Sequence, residues 1–175
     1  MNAPFDSIPS FEEPPDLEIR YTEPKDITFL EKWFADPAVL RWFPMKDPRE
    51  VDDSVKRWIA YHQYKCSLTA CLKGIPCGIA TLWLQPYRKV SHQCQFGIIV
   101  DPQCRGKRIG SSLMKNIMNL AKKNFRIEMF HLEVYEGNPA YHLYKSFGFR
   151  EFGRQSHWVK DDGEYIARIC MERFL

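Results

Sequence analysis

Apolar residues recur along this chain in two rhythms, one of period two and one of three to four, and the changes between them mark out its elements. Leu17 to Tyr21 reads as a first strand, and 26 to 34 as a helix opened by Asp26 just after Pro24. Val51, Val55, Trp58 and Ile59 share one face of a helix predicted over 49–63. Cys66 to Leu72, Gly78 to Leu84 and Ser91 to Val100 then form three consecutive strands, with Gly74-Ile75-Pro76 and Gln85-Pro86-Tyr87 as turns, an antiparallel meander. Phe96 to Val100 is a continuous apolar run, which predicts burial on both faces, and Asp101-Pro102 ends it. After a basic turn, Ile109, Leu113, Ile117, Leu120 and Ala121 make the stripe of an amphipathic helix.

A strand follows from Ile127 to Tyr135, with Phe130, Leu132 and Val134 alternating against His131, Glu133 and Tyr135. Residues 139–147 predict a short helix stopped by Gly148. Phe149 to Lys160 and Tyr165 to Phe174 close the chain as a hairpin across Asp161-Asp162-Gly163. The order βααβββαβαββ predicts an α/β (α+β) fold, a mixed but mostly antiparallel central sheet of about seven strands flanked by about four helices. The aromatic segment 33–44, broken by two prolines, reads either as a substrate-facing loop or as a hydrophobic strap.

Composition narrows the class. With 175 residues, 45% hydrophobic and 27% charged, the chain suits one ordinary globular domain over 17–175. Residues 1–16 hold four prolines and four acidic residues with no basic one, the signature of a flexible acidic arm. Since the whole chain carries +3, the remainder is more basic still, which suits an anionic small molecule. The basic residues are too thinly spread for a dedicated nucleic-acid surface, and no apolar run approaches the length of a membrane span. Six cysteines without a C-x-x-C pair, and no signal-peptide pattern, predict reduced thiols in a cytoplasmic protein.

The turn between the strand at 96–100 and the following helix carries the first chemistry. Arg105, Lys107 and Arg108 flank Gly106 and Gly110 where a helix begins, so backbone N–H groups at the positive end of a dipole lie beside cationic side chains. That suits a phosphate, although a basic surface turn would read the same way. The spacing excludes a P-loop and a dinucleotide fingerprint, because three residues separate the glycines and no Lys follows Gly110. Arg105-Gly106-Lys107-Arg108-Ile109-Gly110 does resemble the pyrophosphate loop of the GNAT superfamily of N-acetyltransferases, with Arg108 where that family usually has its first glycine. If positive φ is required there, an arginine is strained.

A second block, Leu132 to Phe149, is similar to the later motif of the same superfamily, a strand followed by Asn-x-x-Ala-x-x-Leu-Tyr-x-x-x-Gly-Phe. Asn138 stands six residues before Tyr144 rather than seven, so either Gly137 holds the Asn position or the loop is one residue shorter. The resemblance implies the GNAT fold and an acetyl-CoA-dependent N-acetyltransferase. It implies that backbone groups of Ile98, Ile99 and Val100 pair with the pantetheine arm and that Arg105, Gly106, Lys107, Arg108, Ile109, Gly110 and Ser111 hold the pyrophosphate, with Asn138 a further coenzyme contact. Tyr144 would protonate the leaving thiolate.

Glu133, in a Leu-Glu-Val setting similar to that of the ribosomal-protein alanine acetyltransferases, would be the general base. Other members place a Glu on the preceding strand, where this chain has Gln95, which cannot take up a proton. On the residues alone, Tyr144 is equally a packed aromatic and Glu133 a solvated strand carboxylate. His92, His131 and His142 could relay protons, but no pair has metal-ligand spacing, and no metal is expected. The expected reaction is direct acetyl transfer in a ternary complex to a primary amine, a protein N-terminus or a small molecule, by a monomer or homodimer. The alternative is a non-catalytic acyl-CoA-binding regulatory domain.

Overall fold

The computed structural model describes residues 8–175; the first seven residues of the acidic arm lie outside the described part. The strands are β1 (Leu17–Tyr21), β2 (Ser67–Leu72), β3 (Ile75–Leu84), β4 (Gln93–Val100), β5 (Met129–Tyr135), β6 (Arg150–Asp161) and β7 (Glu164–Phe174). The helices are α1 (Ile27–Phe34), α2 (Pro37–Leu40), α3 (Pro48–Ala60), α4 (Ile109–Phe125) and α5 (Ala140–Ser146). The expected order is therefore present with one addition, the single turn α2. Its first turn is held by Asp36, whose Oδ1 accepts from the Ala38 N–H at 2.8 Å. The seven strands form one sheet in the order β1-β2-β3-β4-β5-β7-β6. The pairs β1–β2, β2–β3, β5–β7 and β6–β7 are antiparallel and β4–β5 is parallel, as a strand–helix–strand crossover through α4 requires.

Two compact units are distinguished: one comprises Glu12–Leu82 with Gly97–Phe125, the other Trp83–Phe96 and Arg126–Leu175 with residues 8–11 of the described part. The first unit buries Leu30, Trp33 and Phe34 of α1 and Val55, Trp58 and Ile59 of α3. Phe43 enters the same cluster, 4.8 Å from the Phe34 ring and 6.2 Å from that of Trp58, so the aromatic segment behaves as a strap over this core. From α4, the predicted stripe of Ile109, Leu113, Ile117, Leu120 and Ala121 is buried, and Met114 joins it.

Asp26 differs from its expected role. It makes no side-chain cap to α1; its carboxylate turns back to Arg20, Thr69 and the Glu23 N–H, closing a 3-10 turn over Pro24–Asp26.

In the second unit Phe130, Leu132 and Val134 of β5 point inward with Phe147, Phe149 and Met171. α5 ends in the expected way: Gly148 takes φ +77, and the N–H groups of Phe149 and Gly148 donate to Tyr144 and Lys145 carbonyls at 3.1 and 3.0 Å. The β6–β7 turn places Asp162 and Gly163 at φ +46 and +92, the geometry that fits the twist of a hairpin. Phe11 lies edge-on to Phe147 at 6.4 Å, and Glu13 pairs with Lys115 at 2.9 Å, so the last residues of the arm have partners in their respective units.

Candidate active site

Along the apolar run of β4, Phe96, Gly97 and Ile99 are buried, while Ile98 and Val100, which share a face with Phe96, are half-buried. The apolar run is thus not covered on both faces, contrary to the expectation from its composition. The recorded β4–β5 pairing covers Gln93↔Met129, Cys94↔Phe130 and Gln95↔His131, although both strands continue further, to Val100 and Tyr135. Strand backbone beyond a ladder can be extended by a β-like ligand.

Asp101 organises the end of β4. Its N–H donates to the Cys77 carbonyl at 2.9 Å, its carbonyl accepts from the Cys104 N–H at 2.8 Å, and its carboxylate accepts from the Gln103 N–H at 2.9 Å and the Trp33 indole at 3.0 Å. Beyond it, Gly106 takes φ +74 and Arg108 φ +59. An L-residue in that region costs about 1–2 kcal/mol, so the loop holds with an arginine the backbone shape that glycine supplies more cheaply. The Arg108 carbonyl accepts the first bond of α4, from the Ser112 N–H at 3.0 Å. The N–H groups of Ile109, Gly110 and Ser111 accordingly have no partner within the helix and meet its positive end, beside the exposed Arg105 and Lys107. Close packing fixes this helix start: a Cβ at Gly78 would stand 2.9 Å from both the Ile99 carbonyl oxygen and Leu113 Cδ1. The side-chain oxygen of Ser112, fully buried in the first turn of α4, has no hydrogen-bond partner.

In the second unit, α5 presents Tyr144. Its ring sits 5.9 Å from both Phe96 and Phe149, and Phe96 is 5.1 Å from Phe130, so the phenol belongs to the inward face of β5. Burial pushes its pKa well above the ordinary phenol value, and the hydroxyl keeps its proton throughout the neutral range. Asn138 Oδ1 accepts from the Ala140 N–H at 2.9 Å and so holds the first turn of α5. Asn138 also lines an open recess with Gly137, Pro139, Tyr141, His142 and Ile169.

Strand alternation puts Glu133 on the opposite face of β5 from Phe130, hence not on the face that carries Tyr144. Glu133 Oε2 is 2.5 Å from Arg168 Nη1. The Arg168 guanidinium lies 3.5 Å over the Trp158 ring and its Nε donates to Gln155 Oε1 at 3.2 Å. Tyr135, directly across the ladder from Arg168, is 7% exposed and its hydroxyl is buried without a hydrogen-bond partner; the Trp158 indole approaches without completing one. Burial, with the Glu133 charge adding to it, raises the Tyr135 phenol above its ordinary pKa. On the same face, burial lowers the His131 imidazole, against the opposing pull of Glu133 and Glu172, which favours the neutral ring that can accept a proton.

Arg168, Trp158, Tyr135 and Asp101 carry no signal in the sequence as site residues. Arg168 is one polar position in an alternating strand, and its partners come from two other strands, β5 and β6. Among the described residues no group of three or more His, Cys, Asp or Glu is arranged to hold a metal ion, and no helix is long and apolar enough to cross a membrane. All six cysteines are free; burial pushes the Cys66 thiol up to about 11 and the Cys77 thiol up to about 12.

The model of the acetyltransferase (GNAT) family matches residues 18–149, three quarters of the chain and both of its motif blocks. The chain belongs to the GNAT family. This GNAT protein is an acetyl-CoA-dependent N-acetyltransferase, and the donor and the general acceptor class, an amine, follow from that membership. It is 27% identical over 159 residues to the L-amino acid N-acetyltransferase AaaT of Escherichia coli (strain K12), covering 90% of this chain and 98% of that protein. Its fold is similar to that of a ribosomal-protein-alanine N-acetyltransferase from Brucella melitensis, with a TM-score of 0.75 at 20% identity over 90% of this chain and 99% of that one. A Salmonella typhimurium protein solved with its cofactor acetyl-CoA matches with a TM-score of 0.77 at 18% identity, over 91% and 94% of the two chains.

Proposed function

We propose that this acetyltransferase moves the acetyl group of acetyl-CoA onto the amine of a free amino acid by direct attack in a ternary complex. The observation that carries the chemical half is the buried phenol of Tyr144, which holds its proton at neutral pH. The acceptor nitrogen attacks the thioester carbonyl carbon, the C–S bond breaks, and Tyr144 gives its proton to the departing thiolate. The ammonium proton goes to Glu133, directly or through a water, before the nitrogen can attack. Acid and base thus act at different atoms of the reacting pair, the sulfur that leaves and the nitrogen that attacks.

For the coenzyme, Ile98, Ile99 and Val100 would pair with the pantetheine arm, and Arg105 to Ser111 would take the pyrophosphate on backbone N–H groups, with Asn138 Nδ2 as a further contact. No metal enters the reaction. The domain would span 17–175, as a monomer or homodimer in the cytoplasm, where its thiols stay reduced. Among primary amines, a free amino acid is favoured over a protein N-terminus by the Escherichia coli relative, which is matched over 90% of this chain.

Thiol release from acetyl-CoA across a panel of amino acids, polyamines and N-terminal peptides tests this reading. Release with amino acids is the expected result. Coenzyme binding without release in the presence of any amine would instead identify an acyl-CoA-binding regulatory domain.

A further inference from the structure

The outward face of β5, β7 and β6 holds an ion pair whose two members are both short of partners. Glu133 Oε2 meets Arg168 Nη1 at 2.5 Å, with side chains 36% and 20% exposed. Arg168 is held by Gln155 at Nε and by the Trp158 ring, and among the described residues its Nη2 makes no hydrogen bond. A guanidinium held 3.5 Å over an indole, with its Nε tied to Gln155, turns its remaining N–H edge toward a ligand, and that edge can take a carboxylate with two parallel bonds. Beside it the Tyr135 hydroxyl is buried and unpaired, within electrostatic reach of both Glu133 and Arg168. Such an orphaned donor is costly unless another state of the site satisfies it.

A side-by-side anion and cation mirror a zwitterion. An α-amino acid brings an ammonium and a carboxylate on neighbouring atoms, and each can replace one member of the Glu133–Arg168 pair for the other. We propose that Arg168 is the carboxylate anchor for the acceptor amino acid: the incoming carboxylate takes the Nη1 and Nη2 edge, Arg168 lets go of Glu133, and Glu133 is left to receive the ammonium. Tyr135 then donates to the carboxylate that the guanidinium has released. The exchange breaks and makes hydrogen bonds only, and it keeps the charge balance of the site. It makes base release conditional on a carboxylate, so an amine without one meets a Glu133 still engaged. This assignment rests on the proposed acetyl transfer to amino acids and adds the group that selects them.

The test compares kcat/KM for one amino acid, its methyl ester and its decarboxylated amine, by thiol release, on the parent enzyme and on Arg168→Gln and Arg168→Lys. The parent is expected to prefer the free acid over both analogues by about 10²-fold, mostly through KM, as befits a lost charged hydrogen-bond pair. In Arg168→Gln that preference collapses, and in Arg168→Lys, which keeps the charge without the fork, part of it survives. Calorimetric binding of acetyl-CoA to each variant reports that it is folded. A parent that turns over the ester as well as the acid overturns the anchor without any variant, as does a folded Arg168→Gln that retains the full preference. If polyamines or peptides are acetylated and free amino acids are not, the anchor falls while acetyl transfer stands; absence of thiol release with every amine sinks both.

Discussion

Arg20–Asp26 in the first unit and Arg168–Glu133 in the second are both arginine–carboxylate pairs with the arginine on a strand, and these two pairs are built to opposite specifications. In the first, Arg20 meets Asp26 with both ends of its fork, at 2.8 and 2.7 Å, while the same carboxylate accepts from the Glu23 N–H at 2.9 Å and Thr69 at 2.8 Å. Thr69, Thr22, Ser67 and Thr81 continue this as a chain of buried hydroxyls at 2.7–3.0 Å. Asp26 is wholly inaccessible, and both of its carboxylate oxygens are engaged by the protein's own donors. In the second, Glu133 has a single guanidinium contact, lies partly in solvent, and neighbours an unpaired phenol. A carboxylate with every partner supplied by its own chain stabilises; one with a single exchangeable partner can bind or transfer a proton. Counting partners therefore separates structural from chemical acids better than exposure alone, since Tyr144 is buried and yet proposed to be chemical.

The largest effect expected from this contrast is at Asp26. Asp26→Ala leaves the half-buried Arg20 and the buried Thr69 hydroxyl without their common partner and should cost about 3–5 kcal/mol, a fall in melting temperature on the order of 10 °C. A loss of a degree or two would show that the network is dispensable and break the comparison. For Asp26, burial raises the pKa, but the bonds from Arg20, the Glu23 N–H and Thr69 together outweigh it and the net shift is downward. Its contribution is thus complete above the unfolded-state carboxylate pKa and is lost as pH falls through the lower folded value. Acid titration of stability should accordingly be flatter in Asp26→Asn than in the parent.

Next is Tyr144→Phe, which keeps the ring among Phe96 and Phe149. Turnover should fall by about 10²-fold or more with coenzyme affinity and melting temperature nearly unchanged. Because burial raises the phenol's pKa, the parent's pH–rate profile from neutrality into mild alkali should carry no descending limb from it. Retained turnover in the phenylalanine variant would remove Tyr144 from the chemistry.

Glu133→Gln should reverse the Asp26 pattern. Stability changes by less than about 1 kcal/mol, as for other exposed pairs. Turnover falls most at neutral pH and recovers as pH approaches the amine's own pKa, where the acceptor arrives deprotonated. A variant equal to the parent at every pH would place the base elsewhere. The smallest effect is assigned to Glu13→Gln at the Lys115 pair, where both side chains are well exposed: about 0.5 kcal/mol or less, vanishing in high salt.

What could be read from the sequence was local. The strand–turn–helix entry from Phe96 to Ala121, the αL stop at Gly148 and the Asp162-Gly163 turn are each encoded within a few residues, and each has the predicted form. Two failures had the same origin, the inability of a short window to see tertiary partners. Phe96 to Val100 looks apolar throughout, yet its burial is interrupted at Ile98 and Val100, because neighbours and not composition decide burial. Asp26 has the position of a helix cap but answers to Arg20 and to Thr69, a residue 43 positions away. The Glu133 cluster draws on residues 133, 135, 155, 158 and 168, and no spacing rule joins them. Arg108 is the intermediate case, since the sequence marks it as an anomaly and only the backbone, at φ +59, shows the anomaly to be a strained turn.

The bond between Trp33 Nε1 and Asp101 has a spectroscopic use. Trp33 is 1% exposed, so its indole is shielded from water, and the acceptor of its N–H is a carboxylate that also shapes the turn leading to Arg105. The emission of this tryptophan should register any rearrangement of that turn. The fluorescence lost in Trp33→Phe would isolate its signal from those of the other indoles, giving a label-free optical readout of events at the start of α4 that needs neither an acceptor nor turnover.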